Sequence, residues 1–153
     1  MTLDAIAPMS NEAVQKVREL ETMTLQLPQV DIPTDHVLHA GMYARTITIP
    51  AGTMLTGALI ELATLLIIQG DVDVFTGEGT QRLTGYHVIA AQAGRKQAFV
   101  THADTHVTMI FPTKAQHVAQ AEDEFTQEAD RLLSRRQLQC NTTNERKSPC
   151  LEQ

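Results

Sequence analysis

The stretch from Ile49 to Pro112 constrains the fold of this chain more than any other part of its sequence. Short runs rich in β-branched and other apolar residues alternate there with turns that contain glycine or proline. The turns recur at intervals of about eight to twelve residues, a spacing that is typical of small β-sandwiches and β-barrels. The sequence therefore predicts a mainly β fold built from many short strands.

One apolar run and the glycine that follows it carry specific expectations within this stretch. The run Ala63–Gln69 is almost continuously apolar, which predicts a strand covered on both faces. Gly70 comes directly after it and is followed by an alternating segment, Val72–Thr76. This pattern predicts a turn at Gly70 and a hairpin partner beyond it, with Asp71 and Asp73 facing solvent.

The regions on either side of the strands predict helices and a tail. Within residues 1–41, the N-cap residue Ser10 and the apolar residues at three-residue steps after it predict a helix of about twelve residues, followed by an extended connector. Residues 42–112 form the predicted barrel. Residues 113–136 carry one apolar stripe and predict a single amphipathic helix. Residues 137–153 are almost entirely polar and predict a flexible tail.

Charge and terminal sequence argue against several classes of protein. The 153-residue chain has a formal net charge of −6, which disfavours broad electrostatic attraction to nucleic acid or anionic membranes. Its apolar runs are far shorter than a membrane span, and its first residues lack the basic region of a signal peptide. We therefore expect a cytoplasmic protein in which Cys140 and Cys150 remain free thiols.

Three segments of the β-rich stretch resemble motifs of the cupin superfamily, whose members fold as a small jelly-roll barrel. Pro50–Thr53 is similar to the proline-glycine turn that opens the first cupin motif, and Leu65–Val74 is similar to the hairpin that closes it. Gly85–Gly94 is similar to the glycine-to-glycine run of the second motif. The resemblance covers Tyr43–Pro112 and implies a single cupin-like jelly-roll barrel with an N-terminal helix and a C-terminal amphipathic helix. Cyclic-nucleotide-binding domains share a similar barrel, but this chain lacks their acidic and arginine-containing phosphate cassette.

The same resemblance bears on metal binding. Cupins that bind a metal use two histidines and a carboxylate from the first motif and one histidine from the second. Alignment by the glycines places Ala58 and Ile60 where the paired histidines belong, and Ala63 or Thr64 where the carboxylate belongs. Gln97 takes the position of the last histidine. Aliphatic carbons cannot coordinate a cation, so the resemblance implies a barrel without the usual metal site and without a cofactor.

Histidines elsewhere in the chain offer weaker candidates for metal binding. His102 and His106 flank Asp104, a combination that is chemically competent for zinc but equally expected of surface residues beside a tight turn. His36 and His39 precede a predicted strand, where residues three apart point to opposite faces. We find no nucleophile elbow and no pair of carboxylates at barrel positions.

Two interpretations of the barrel interior stay open at this stage. The positions aligned with the cupin ligands are apolar, which suits a fully packed core. They also suit a small apolar pocket in which a few polar side chains orient a ligand, a pattern typical of small-molecule sites. The candidate ligand-binding residues are Tyr43, Arg45, His87, Arg95 and Gln97. Arg95 and Lys96 follow a glycine in a turn and could instead form a solvated rim.

These observations lead to three functional hypotheses. The first is a non-catalytic, metal-free binding or assembly module. By resemblance it would be a homo-oligomer, with a protein partner docking on the helix at 113–136, and it could be a component of a larger assembly such as a phage particle. The second is a protein that binds or sequesters a small molecule or nucleotide. The third is an enzyme, either a metalloenzyme with unusual ligands or a cofactor-independent isomerase or epimerase. By resemblance to epimerases of this barrel, His87 would be the base and Tyr43 the acid. Tyr86 is adjacent to His87 on a predicted strand and would face the opposite side.

Overall fold

The computed structural model describes residues 3–145 and confirms the predicted mainly β fold. Within this range the chain forms nine strands and three α helices. In chain order they are β1 (Ala5–Ile6), α1 (Asn11–Thr24), β2 (Thr34–His39), β3 (Met42–Ile49), β4 (Met54–Thr56), β5 (Thr64–Phe75), β6 (Thr80–Ala91), β7 (Ala98–Thr101), β8 (Thr105–Pro112), α2 (Val118–Phe125), α3 (Leu133–Arg136) and β9 (Asn141–Glu145). No helix in the described range is long and apolar enough to cross a membrane.

One curled sheet forms the barrel. Its strands follow the order β1-β6-β5-β8-β3-β2-β9, and β7 joins β5 to β4. The long strand β5 makes the curl possible because its two halves pair with different neighbours. Leu65–Gln69 pairs with β8, whereas Val72–Phe75 pairs with β7. Both halves contribute buried residues to the same core, Leu66 and Ile68 from the first and Val72 and Val74 from the second.

Gly70 marks the junction of these two halves and does not form the predicted turn. The strand β5 continues through it, and Gly70 lies opposite Gly85 of β6. Its φ of 152° is rare for other residues, and a Cβ atom there would lie 2.8 Å from the Cα atom of Thr105. The prediction of a turn was wrong because the glycine is required by the close approach of β8 and by backbone conformation within a strand.

The first half of β5 alternates between the interior and solvent. Thr64, Leu66 and Ile68 are buried, whereas the side chain of Leu65 is 49% exposed. The prediction of a strand covered on both faces was therefore wrong, because one face of this sheet is open. The interior face carries the core, which includes Ile49, Ile68, Val72, Val74, Leu83, Ile89 and Phe111.

The N-terminal helix agrees with the sequence, and the connector after it contains a strand. The Ser10 hydroxyl accepts a hydrogen bond from the backbone N–H of Ala13 at 3.1 Å, as expected of an N-cap. Beyond α1, the predicted connector includes β2, which pairs with β3 along its whole length. The alternation of buried and exposed residues in Thr34–His39 is the pattern that indicates this strand.

The predicted helix 113–136 is divided in the structure. It contains α2, a 3₁₀ turn at Ala129–Arg131 and α3. The division occurs because Thr126 is extended, and its hydroxyl accepts a hydrogen bond from the backbone N–H of Glu128 at 3.1 Å. The predicted apolar stripe is still buried against the barrel.

The predicted tail 137–153 needs correction over the part that the structure describes. After a 3₁₀ turn at Leu138–Cys140, β9 adds to the sheet in parallel with β2. A polar segment can do this because backbone hydrogen bonds hold an edge strand whatever its side chains are. The remainder of the predicted tail, residues 146–153 with Cys150, lies outside the described residues.

Candidate functional site

The barrel contains a small cavity of about 110 Å³ that is partly open to solvent. Its lining is mostly apolar and comes from the strands and from the C-terminal segment, in which Phe125, Leu132 and Leu133 form one wall. Ala58, Ile60 and Gln97, three of the positions aligned with the cupin metal ligands, also line it. The structure thus favours the pocket over the fully packed core. Three polar side chains reach this cavity: Arg45, Arg95 and Gln97.

Arg45 is buried with an acidic partner. One of its guanidinium nitrogens, Nη1, lies 3.0 Å from Glu122 Oε2 and donates to Ser134 Oγ at 3.0 Å. The guanidinium also lies 5.6 Å from the centre of the Phe125 ring. Strand β3 supplies the arginine and the C-terminal segment supplies the other three residues. The charge of Arg45 is therefore neutralised across the seam between barrel and C-terminal segment.

Glu122 is the centre of this buried network. Its side chain is only 4% exposed and also accepts hydrogen bonds from Ser134 Oγ and from Arg135 Nε, the latter at 3.1 Å. Ser134 lies on α3 and can reach Glu122 of α2 because the chain bends between the two helices. The sequence pattern does not single out Glu122 or Ser134, since the single helix predicted for residues 113–136 gives no reason to expect a contact between them.

Tyr43 lies behind Arg45 and does not line the cavity. Its hydroxyl donates to His36 Nδ1 at 2.7 Å, and His36 Nε2 donates to Asn141 Oδ1 at 2.8 Å. This assignment follows from a neutral imidazole, because burial lowers the pKa of His36. Burial likewise raises the pKa of Tyr43 to about 12, so its hydroxyl keeps its proton. Tyr43 thus belongs to a chain of hydrogen bonds that ties β9 to the barrel.

Arg95 is buried without an acidic partner among the described residues. Its exposure is 1%, and its Nη1 donates to the backbone carbonyls of Leu62 at 3.2 Å and Gln92 at 2.7 Å. Its Nη2 donates to Thr64 Oγ1 at 2.7 Å. The third nitrogen, Nε, has no hydrogen-bond partner in residues 3–145. Burial lowers the pKa of Arg95 to about 10.

Gln97, like Arg95, has a buried donor nitrogen without a hydrogen-bond partner among the described residues, but its side chain is neutral. It is 6% exposed, and its Nε2 group is buried without a hydrogen-bond partner in the described part of the chain. Lys96, between the two cavity residues, points the other way: its Nζ lies 3.0 Å from Glu21 Oε2 of α1 and donates to Gly57 O at 2.8 Å. Arg95 and Lys96 are both fully buried, so they do not form the solvated rim considered above.

His87 is apart from the other candidate residues. It is half-buried on β6, does not line the cavity, and its Nε2 donates to the backbone carbonyl of Thr84 at 2.8 Å. Tyr86 is 63% exposed on the opposite face of the strand. Of the five candidate ligand-binding residues, the structure therefore brings together Arg45, Arg95 and Gln97, and places Tyr43 and His87 elsewhere.

The donor set of the cavity does not fit a metal ion. The aligned positions offer two aliphatic side chains and one amide, and no group of three His, Cys, Asp or Glu side chains able to hold a metal occurs in residues 3–145. His102 Nε2 instead lies 2.9 Å from Asp73 Oδ2, while His106 Nδ1 lies 3.0 Å from Thr48 Oγ1. These two histidines are exposed and have separate partners.

Comparison with known proteins finds similarity in fold. No family model matches the chain, and no curated protein matches it significantly in sequence. Among solved structures, the Cupin_2 domain of an XRE family transcriptional regulator from Enterobacter cloacae is 10% identical, with a TM-score of 0.43, and the match covers 54% of this chain and 99% of that domain. A cupin superfamily protein from Desulfitobacterium hafniense is 14% identical, with a TM-score of 0.40 and coverage of 50% and 72%. A cupin domain from Schizosaccharomyces pombe is 14% identical, with a TM-score of 0.42 and coverage of 59% and 72%.

At this level of identity the likeness is one of fold alone and brings no substrate or activity with it.

Proposed function

We propose that this chain is a metal-free, cupin-like binding module that holds a small organic molecule inside its barrel. One observation carries the proposal: an apolar cavity of about 110 Å³ is lined in part by Arg95 and Gln97, and each of these side chains has a buried donor nitrogen without a hydrogen-bond partner among residues 3–145. Buried donors without partners are rare and destabilising, since each loses its hydrogen bonds to water. A bound molecule with an acceptor group would restore them.

The isomerase hypothesis has less support from the geometry. It needs a base and an acid that face one pocket. The Tyr43 hydroxyl is instead hydrogen-bonded to His36, and neither of these residues lines the cavity. His87 lies outside the cavity as well. A binding role requires only the polar groups that do line it, so we favour binding without chemistry.

Filling the cavity tests the proposal. We expect the purified full chain to take up xenon in ¹²⁹Xe NMR, or to retain an organic ligand in native mass spectrometry. Ala58→Leu should abolish either signal because Ala58 lines the cavity. Ala63→Leu makes the same change at an exposed position and should leave the signal intact. A wild-type protein that takes up no xenon and retains no ligand would contradict the proposal.

We also propose that the chain self-associates through the open face of its sheet. Leu65, Tyr86 and Val88 are 49%, 63% and 53% exposed there, on the neighbouring strands β5 and β6. The apolar stripe of residues 113–136 packs against its own barrel, which leaves this face as the better candidate for a partner. Sedimentation velocity should show a dimer that Val88→Glu converts to a monomer, and a monomeric wild type would contradict the proposal.

A further inference from the structure

The chemistry of the unpartnered groups identifies the class of ligand, and this inference rests on the proposed binding function. Arg95 Nε and Gln97 Nε2 are both donors. Arg95 is a cation and Gln97 is neutral, so the pair offers N–H groups and a net positive charge. A ligand that satisfies them must present acceptor oxygens, and a negative charge is favoured.

The charge balance around the cavity strengthens this point. Four other buried or partly buried cations in the described part of the chain have carboxylate partners. They are Arg45 and Arg135 with Glu122, Lys96 with Glu21, and Arg18 with Glu128, at 3.0, 3.1, 3.0 and 3.0 Å. Arg95 forms no ion pair within the described residues and is held by neutral oxygens. One buried positive charge is therefore left over in the cavity wall, where an isolated charge is unfavourable.

Size and lining limit the rest of the molecule. An engineered apolar cavity of about 150 Å³ accommodates benzene, so a cavity of this size suits a molecule of about six non-hydrogen atoms or fewer. The remaining walls include Ile47, Leu66, Val107, Met109 and Phe125, which favour hydrocarbon over further polar groups. These walls disfavour compact inorganic anions such as phosphate, whose other oxygens would remain without donors.

We propose that the ligand is a small aliphatic monocarboxylate. Its carboxylate accepts hydrogen bonds from Arg95 and Gln97, and its short hydrocarbon part lies against the apolar walls. Arg45 borders the same cavity but remains paired with Glu122, so it shapes the wall without serving as the anion's main partner.

A pair of nearly isosteric probes tests this assignment. We expect isobutyrate to raise the melting temperature of the full chain by about 5 °C at roughly a hundredfold excess over its dissociation constant. Isobutyramide has the same shape but no charge. We expect that at least a tenfold higher concentration of it is needed for the same rise in melting temperature. Sodium chloride at equal ionic strength serves as the control for general salt effects.

Two variants locate the effect. Arg95→Met should abolish the isobutyrate shift, and Gln97→Met should weaken it while leaving the fold intact. Arg82→Met removes a positive charge from the exposed β5–β6 hairpin and should leave the shift unchanged. If isobutyramide binds as well as isobutyrate, or if Arg95→Met retains the shift, the carboxylate assignment is overturned while the binding function stands. If neither probe binds and xenon does not enter, both proposals fail.

Discussion

Two arginines border the same cavity and differ in how their charge is balanced. Arg45 and Arg95 are 7% and 1% exposed, so both are removed from water. Arg45 shares a carboxylate with Ser134 and Arg135, whereas the partners of Arg95 within residues 3–145 are only two backbone carbonyls and one threonine hydroxyl. The difference separates two roles that burial alone would not distinguish. A paired arginine fastens one part of the chain to another, whereas an unpaired one keeps an uncompensated charge, and it is this charge to which we propose that a small anion binds.

The largest expected loss of stability comes from removing the carboxylate of Glu122, the partner of Arg45. Glu122→Gln should lower the free energy of unfolding by about 3–5 kcal/mol, because it leaves Arg45 buried without a counterion. Urea denaturation measures this directly. Asp123→Asn removes an exposed carboxylate that also contacts Arg135, and it should change stability by no more than about 0.5 kcal/mol. Equal losses in the two variants would show that the burial of Glu122 is unimportant.

Arg95→Met should be the milder change. It removes three hydrogen bonds and one donor nitrogen without a partner, but it also removes a buried charge that has no counterion within residues 3–145. We expect a loss of about 1–2 kcal/mol, smaller than that of Glu122→Gln, because lost hydrogen bonds and relieved desolvation oppose each other. The two variants are compared in the same urea titration. A loss as large as that of Glu122→Gln would mean that Arg95 is structural.

The chain of hydrogen bonds behind Arg45, which contains His36, should make the stability of the protein sensitive to pH. Burial holds the pKa of His36 below its usual value of 6.5, so the unfolded chain binds a proton more readily than the folded one. This contribution to stability is complete above pH 6.5 and is lost as the pH falls toward the folded pKa. His36→Gln should remove this component of the pH dependence, whereas His106→Gln, at an exposed position, should keep it. Identical pH profiles for wild type and His36→Gln would contradict the assignment.

The smallest change in stability is expected when Gln97 is replaced. Replacing it with methionine removes a buried donor that has no partner in the described residues, and keeps a similar volume. Stability should change by less than about 1 kcal/mol or should rise slightly, since no internal hydrogen bond of Nε2 is lost. Thermal unfolding without added ligand checks this. A loss of several kcal/mol would show that Gln97 has an essential internal partner.

The sequence predicted the barrel well because its evidence is local. Glycine and proline spacing indicated the strands, and alignment on the glycines placed Ala58, Ile60 and Gln97 around one interior. The same reasoning misassigned Gly70, since a glycine required by the approach of Thr105 looks like a turn glycine in sequence.

The partners of the polar residues could not be predicted, because they depend on contacts between distant parts of the chain. Arg45 and Arg95 were both candidates, but which of them has a carboxylate depends on the bend after α2. That bend brings Ser134 to Glu122 and both to β3. Tyr43 is a candidate for the ligand site from its place in the sequence alone. Its hydrogen bond to His36, which accounts for its hydroxyl group, is visible only in the structure.

The C-terminal segment has a consequence for the order in which the protein can complete its fold. Arg45 and Glu122 are 77 residues apart, and His36 and Asn141 are 105 residues apart. During synthesis, every barrel strand up to β8 leaves the ribosome before the carboxylate that neutralises Arg45 and before the edge strand that covers β2. The emerging barrel therefore holds an uncompensated charge and an open edge until residues 118–145 have been synthesised. Such long-range closure is characteristic of slow-folding β proteins, so we expect the docking of residues 118–145 to be a late step in folding.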